Sequence, residues 1–411
     1  MSSSRDNIND LNRLEFDQAS SKKDKKIKSI DFLKGFSICL IILGHISKIW
    51  IDNEWLWVYG SIFIILDVFG PSLFIFLSAM SIIFSLRKKM GFIPKKSVQN
   101  SIILRGFITI GLGFVDNLLS VHHVLFPLNL WGWNIFIFYG FSQIISYLAL
   151  KLSRGVRIGI GIMAIYFTPS IQELLFIGKE IDPIIGFLHY IFISPAPHFP
   201  FFPFVALCFF STAFGEMFFE ATLLETDEAY MDTFRTFIKY GVILVLTGIG
   251  FTLLGGEMLL TTEDINFYEY PFINLLEIVQ NQPYFKVLGL PRFLLRGTSE
   301  YLFYCLGMIM IILGISFYWI DIKKKVNPFM NMLSFYGKVS FTLFIIHYIS
   351  IFLYIRSLNI LLFWAVWIGY IGFFGVTLYI WHIFGRGKYT LEWFMRQMKR
   401  KTKNNERNKS P

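Results

Sequence analysis

Long apolar runs, aliphatic and aromatic residues mixed, follow one another along the chain without strict alternation. Runs of about 20 such residues match the ~30 Å hydrocarbon core of a bilayer. The lack of alternation argues for helices over barrel strands. About ten spans are predicted, over residues 30–50, 58–86, 98–119, 130–150, 156–177, 200–221, 239–256, 299–320, 331–354 and 358–384. The fifth is the weakest, because Pro169 and Glu173 interrupt it. Pro195, Pro197, Pro200 and Pro203 cluster before and at the start of the sixth. No internal repeat is visible. The expected architecture is an all-α, polytopic integral membrane bundle.

Composition agrees with the pattern. Of 411 residues, 55% are hydrophobic, 18% aromatic and only 16% charged. A soluble protein of this length needs far more polar surface. The N-terminal "MSSSRDNINDLNRLEFDQASSKKDKKIK" has no apolar core, so it is neither a signal peptide nor a span. Residues 1–29 and 385–411 read as disordered basic tails flanking one membrane domain, 30–384.

Charge sets an expected orientation. With ten spans and the N-terminus inside, one side holds 30 of the 38 Lys and Arg, and the outer loops hold six. By the positive-inside rule both termini are cytoplasmic. The same skew supplies the net charge of +10, so nucleic acid is not an expected partner. The basic tails suit anionic lipid head groups. The expected location is a cell membrane, multi-pass; a homo-oligomer is left open. Cys39, Cys208 and Cys305 lie in apolar runs at no metal-ligand spacing and read as inert thiols. The long outer loop, 257–298, carries Tyr268, Tyr270 and Phe285, which suit either a membrane interface or sugar stacking.

The spans also hold ionisable groups, which cost on the order of 2.5–3.5 kcal/mol each on insertion scales. In "SIDFLKGFSICLIILGHISKIW", Asp31 and Lys34 are three apart and can pair across a turn. His45 lies ~16 Å further along the helix. Interfacial anchoring accounts for these residues as well as function does. Span nine, "YGKVSFTLFIIHY", repeats the arrangement with Lys338 and His347, and runs in the same direction. Arg105 adds a third cation at the inner level, and Asp67 puts a carboxylate near mid-membrane. The layering suggests inner cations that hold an anionic donor such as a coenzyme A thioester. A histidine at its far end would act as base or nucleophile, with Asp67 orienting the imidazole. No phosphate loop, metal motif or nucleophile elbow is present.

Other polar residues are weaker candidates. Adjacent His122 and His123 point different ways on any regular element and read as loop residues. Asn134, Tyr139 and Gln143 line a cavity or bridge helices. Glu216 is a second-tier candidate, and His189, His198 and His382 have no evident partner.

"SIDFLKGFSICLIILGH" resembles the first span of the transmembrane acyltransferase superfamily, which includes heparan-α-glucosaminide N-acetyltransferase-like and acyltransferase-3-like proteins. That span reads Asp-x-x-Arg-Gly, with a histidine often following the arginine after ten residues. Lys34 occupies the arginine position and His45 the histidine position. "LDVFGPSLFIFLSAMS" and "WNIFIFYGFSQIISYL" are similar to its second and fourth spans. "YGKVSFTLFIIHYISIFLY" is similar to the late-span Gly-Arg-x-Ser-Leu-Thr-x-Tyr-x-x-His, with Lys338 for arginine. "GRGKYTLEWFMRQM" resembles the closing Gly-Pro-Leu-Glu-Trp segment. The resemblance implies an acyl-CoA-dependent enzyme, most plainly an acetyltransferase, acting on a glycan or lipid-linked acceptor across the membrane. It points to His45, Asp67 and His347 at the catalytic centre, while the charge layering puts Lys34, Arg105 and Lys338 around the donor, and no metal is expected. Lysine at both arginine positions removes the bidentate contact that arginine makes. The alternative from another class is a proton-coupled transporter or flippase using the same residues as a relay. The missing repeat counts against it.

Overall fold

Helix α1 (Lys28–Trp50) follows the first apolar run. No local side chain caps its start. The amides of Lys28 and Ser29 instead donate to the Asp321 carboxylate, at 2.8 and 3.0 Å. A carboxylate there satisfies two orphan donors and meets the positive end of the helix dipole.

The structure is a computed structural model that describes residues 27–87, 95–120, 125–193, 200–224, 226–255, 259–260, 273–280, 282, 288–385, 388, 390–395 and 397. Most of both predicted tails, His122, His123, His198, Tyr268, Tyr270 and Phe285 lie outside them.

The second apolar run breaks in two. α2 (Leu56–Leu66) ends in a 3-10 turn, Asp67–Phe69, and α3 (Pro71–Arg87) restarts. Pro71 has no amide to continue the ladder, which keeps the break local, and residues Asn53–Phe84 still count as one spanning stretch. The Gly70 carbonyl at the break accepts from the Ser37 hydroxyl of α1. α4 (Lys95–Ser120) then packs against α5 (Ile135–Ala149).

α6 (Arg154–Tyr166) and α7 (Thr168–Gly178) form a pair bent by 46°, with Pro169 at the start of α7. α8 (Pro183–Phe192) is a short apolar helix inside a predicted loop. α9 (Ala206–Leu224) and α10 (Asp227–Leu254) follow. α10 starts twelve residues before the predicted span, because Thr226 caps it and Asp227 and Glu228 fill its first turn. α11 (Ile273–Gln280) precedes α12 (Ser299–Phe317), which packs along α10. The only strands among the described residues, β1 (Leu259–Leu260) and β2 (Leu290–Pro291), form a two-residue antiparallel pair.

α13 (Pro328–Lys338) and α14 (Ser340–Ser350) are bent by 89° at Val339. The predicted ninth span is therefore not one straight helix, and Lys338 and His347 lie on different segments. The last long helix is α15 (Ile360–Gly385).

Among the described residues, seven helical stretches are long and apolar enough to cross a membrane, or nine if each bent pair is one span. The expectation of ten differs at α5, a 15-residue helix below spanning length. The outermost helices fit lipid contact: only 22% of the apolar windows of α10 and α15 is buried. Exposed Leu246, Leu253, Ile368, Phe373 and Val376 lie along them.

α1 is the central strut, and it meets α13–α14 at both ends. At one end Gly35 faces the Leu333 carbonyl and Gly337 faces the Asp31 carbonyl, so close that neither position has room for a Cβ. At the other end Ile51 and Leu358 form a parallel bridge. The Arg356 amide donates to the Ile49 carbonyl at 2.8 Å, and the Trp50 indole to the Ile351 carbonyl at 2.7 Å. These two ties set the register between α1 and α14.

Candidate functional site

The register brings two histidines together. Nδ1 of His45, on α1, lies 2.9 Å from Nε2 of His347, on α14. The rings lie 26° from coplanar with centroids 5.1 Å apart. His347 is fully buried, whereas His45 is partly exposed. Phe344 and Tyr348 flank both rings, and Phe136 of α5 closes over Phe344.

One further bond assigns the protons. Nδ1 of His347 contacts the Phe344 carbonyl, which can only accept. That nitrogen therefore carries the hydrogen, and Nε2 of the neutral ring carries the lone pair. His45 then donates from Nδ1 to it, which puts the lone pair of His45 on its Nε2. The chain from Phe344 carbonyl to His347 to His45 thus delivers a basic nitrogen at the partly exposed ring. The Tyr370 hydroxyl donates to the His347 carbonyl at 3.3 Å, which steadies the far end of α14.

Asp67 does not do what its sequence position suggested. Its carboxylate is held by Arg296 and Tyr301, not by an imidazole. Oδ2 accepts from Arg296 Nε at 2.6 Å and from the Tyr301 hydroxyl at 2.7 Å, and Arg296 Nη2 pairs with Oδ1. Arg296, counted as an outer-loop cation in the sequence, is only 4% exposed. The loop before α12 folds it inward: Gly297 has φ 98°, and Thr298 caps the helix by accepting from the Tyr301 amide at 3.0 Å. That φ suits glycine. Burial pulls the Arg296 guanidinium down to about 10, still protonated at neutral pH. Its face lies over Phe63 at 5.4 Å. A cavity of about 20 Å³ beside Asp67 is lined by Ser47, Tyr59 and Gly70, room for one water.

Two of the candidate cations sit where the helix ties are. Lys34 and Lys338 each neighbour a glycine of the α1–α13 crossing. Lys34 Nζ donates to the Ser81 hydroxyl at 2.7 Å, and Lys338 is exposed. Arg105 Nε donates to the Gln143 side-chain oxygen, and Arg105 and Glu392 both act electrostatically on the Tyr139 hydroxyl. Tyr139 packs edge-on against Phe341, at the start of α14.

Most of the remaining candidates have structural partners. Asn134 caps α5 and bridges to Asn117 and the Gly113 carbonyl on α4, at 2.8 and 2.7 Å. Glu216 on α9 pairs with Arg157 of α6, which is 2% exposed. His382 packs against Phe335 on α13, and His189 belongs to α8. The three cysteines are buried thiols. Among the described residues, no group of His, Cys, Asp and Glu is arranged to hold a metal ion.

Compared with protein families, with characterised proteins and with solved structures, the chain matches none of them.

Proposed function

We propose that the chain is a membrane acyltransferase that moves an acyl group, most simply acetyl, from cytoplasmic acyl-CoA to a glycan or lipid-linked acceptor on the opposite side. The observation that carries this reading is the His45–His347 pair. A buried imidazole that holds a second, partly exposed imidazole in one tautomer makes a preorganised base. Nε2 of His45 takes the proton of the acceptor hydroxyl as its oxygen attacks the thioester carbon. The C–S bond breaks, and the imidazolium returns the proton to the departing thiolate. While His45 is charged, its Nδ1–H bond to His347 becomes a charge-assisted one. The step yields an ester and a free coenzyme A thiol.

In this reading Lys34, Arg105 and Lys338 attract the phosphates of the donor, as point charges where lysine replaces arginine. Asp67, Arg296 and Tyr301 hold the α2–α3 break beside α1. Both termini face the cytoplasm in a bundle of up to ten spans. Loss of transfer in His45→Ala, with normal folding, tests the assignment.

The broken helices favour a second reading. α2–α3, α6–α7 and α13–α14 each interrupt an apolar run, a habit of secondary transporters. Under that reading the histidine pair relays protons. Purified protein in sealed vesicles separates the two: proton-driven solute uptake without acyl-CoA turnover supports transport.

A further inference from the structure

We infer that Glu392 is a positioning residue: its carboxylate, carried by the C-terminal segment 390–395, caps α14 and so fixes where that helix holds His347 against His45. The inference rests on the acyltransferase reading for its catalytic consequence, but the geometry stands without it.

α14 is short, and it joins α13 through the 89° break at Val339. Val339, at its N-cap, offers no side-chain acceptor. Glu392, 51 residues beyond Phe341, fills the gap. Its Oε1 accepts from the amides of Phe341 and Thr342 at 2.8 and 3.2 Å. Its Oε2 accepts from the Thr342 hydroxyl at 2.5 Å, and Thr342 Oγ1 in turn accepts from the Leu391 amide at 2.9 Å. Thr390 caps its own segment by accepting from the Trp393 amide at 3.1 Å. The result is a reciprocal capping box built from two distant segments.

The cap reaches the histidine through a rigid element. Phe341, which donates to Glu392, packs on Tyr139 with centroids 4.8 Å apart. One turn on, the Phe344 carbonyl holds His347 Nδ1, and the Phe344 ring packs on Phe136 at 4.8 Å. A rotation or slip of α14 that uncaps its first turn therefore moves Nε2 of His347 away from His45.

The test uses the full-length protein in detergent, labelled with ¹⁵N-histidine, as wild type, Glu392→Ala and Glu392→Gln. Imidazole nitrogen resonances report the paired tautomers, and acetyl transfer reports kcat and donor KM. The expected result is a folded E392A that loses the paired-nitrogen signature. Its kcat falls by at least about tenfold, with donor KM nearly unchanged. E392Q keeps an accepting oxygen for the amides and recovers most of both readouts. Should E392A fail to fold, Thr342→Val removes half of the box and weakens the signature in part. A folded E392A that keeps the wild-type signature overturns the inference. A signature that depends on Glu392 in a protein that transfers no acyl group upholds the positioning and removes the acyltransferase reading.

Discussion

Asp67 and Arg296 form an ion pair inside the bundle, 229 residues apart, with the Tyr301 hydroxyl on the same carboxylate. The pair joins the α2–α3 break to the loop that starts α12. Removing one partner strands a buried charge, which costs about 3–5 kcal/mol. Asp67→Leu and Arg296→Leu are therefore each expected to lower the thermal midpoint in detergent sharply. The double variant should recover part of the loss, because it leaves no lone charge. Single variants as stable as wild type would contradict this account of Asp67.

The α1–α13 crossing makes a second prediction. Gly35 faces the Leu333 carbonyl and Gly337 the Asp31 carbonyl, both without room for a Cβ. Gly35→Ala and Gly337→Ala must push the helices apart, at about 1–3 kcal/mol each. Thermal unfolding measures the loss. Lys34 and Lys338 neighbour these glycines, so under the proposed function the surviving folded fraction should also show a raised donor KM.

The cations themselves can be separated from stability. Lys338 is exposed, so Lys338→Met should leave folding within about 0.5 kcal/mol of wild type. Under the proposed function it raises donor KM several-fold with little change in kcat, the mark of lost ground-state binding. Lys338→Arg should restore the KM. Steady-state kinetics with acetyl-CoA decides the matter, and an unchanged KM in Lys338→Met removes this residue from the donor site.

Sidedness is open to direct chemistry. The orientation with both termini inside predicts that Lys325→Cys reacts with an impermeant maleimide only from the cytoplasmic face. Glu180→Cys should react only from the opposite face. Both positions are exposed, and the native Cys39, Cys208 and Cys305 are buried, so background labelling is low. Labelling of both positions from one face would contradict this topology, and exchange of the two faces would reverse it.

Much of this arrangement was legible in the sequence, and the failures have physical causes. Apolar run length predicts helices well, since hydrocarbon sets it, but it does not see a break such as Val339. No proline or glycine stands there; α14 is started by a carboxylate 51 residues beyond Phe341. The cation-then-histidine arrangement shared by the first and ninth apolar runs marks His45 and His347 as candidates together, and the structure places them in contact. Asp67 was given the wrong partner because its true one, Arg296, sits in a segment that reads as a loop. A buried carboxylate demands a cation, and "RGTSEY" offered one just ahead of a Thr cap and an apolar helix. The Arg157–Glu216 pair is equally silent in the sequence, because its two members are 59 residues apart. Glu392, in "GRGKYTLEWFMRQM", gives no sign of its role in the sequence, since capping across distant segments leaves no local pattern.

The central claim is that His45, set in one tautomer by His347, is the base of acyl transfer. The most direct measurement is transfer from labelled acetyl-CoA to candidate glycans by purified wild type, His45→Ala and His347→Gln, each checked for wild-type melting. Wild type should turn over, His45→Ala should lose at least about a hundredfold in kcat, and His347→Gln should fall between them. A folded His45→Ala that transfers acetyl at the wild-type rate contradicts the account.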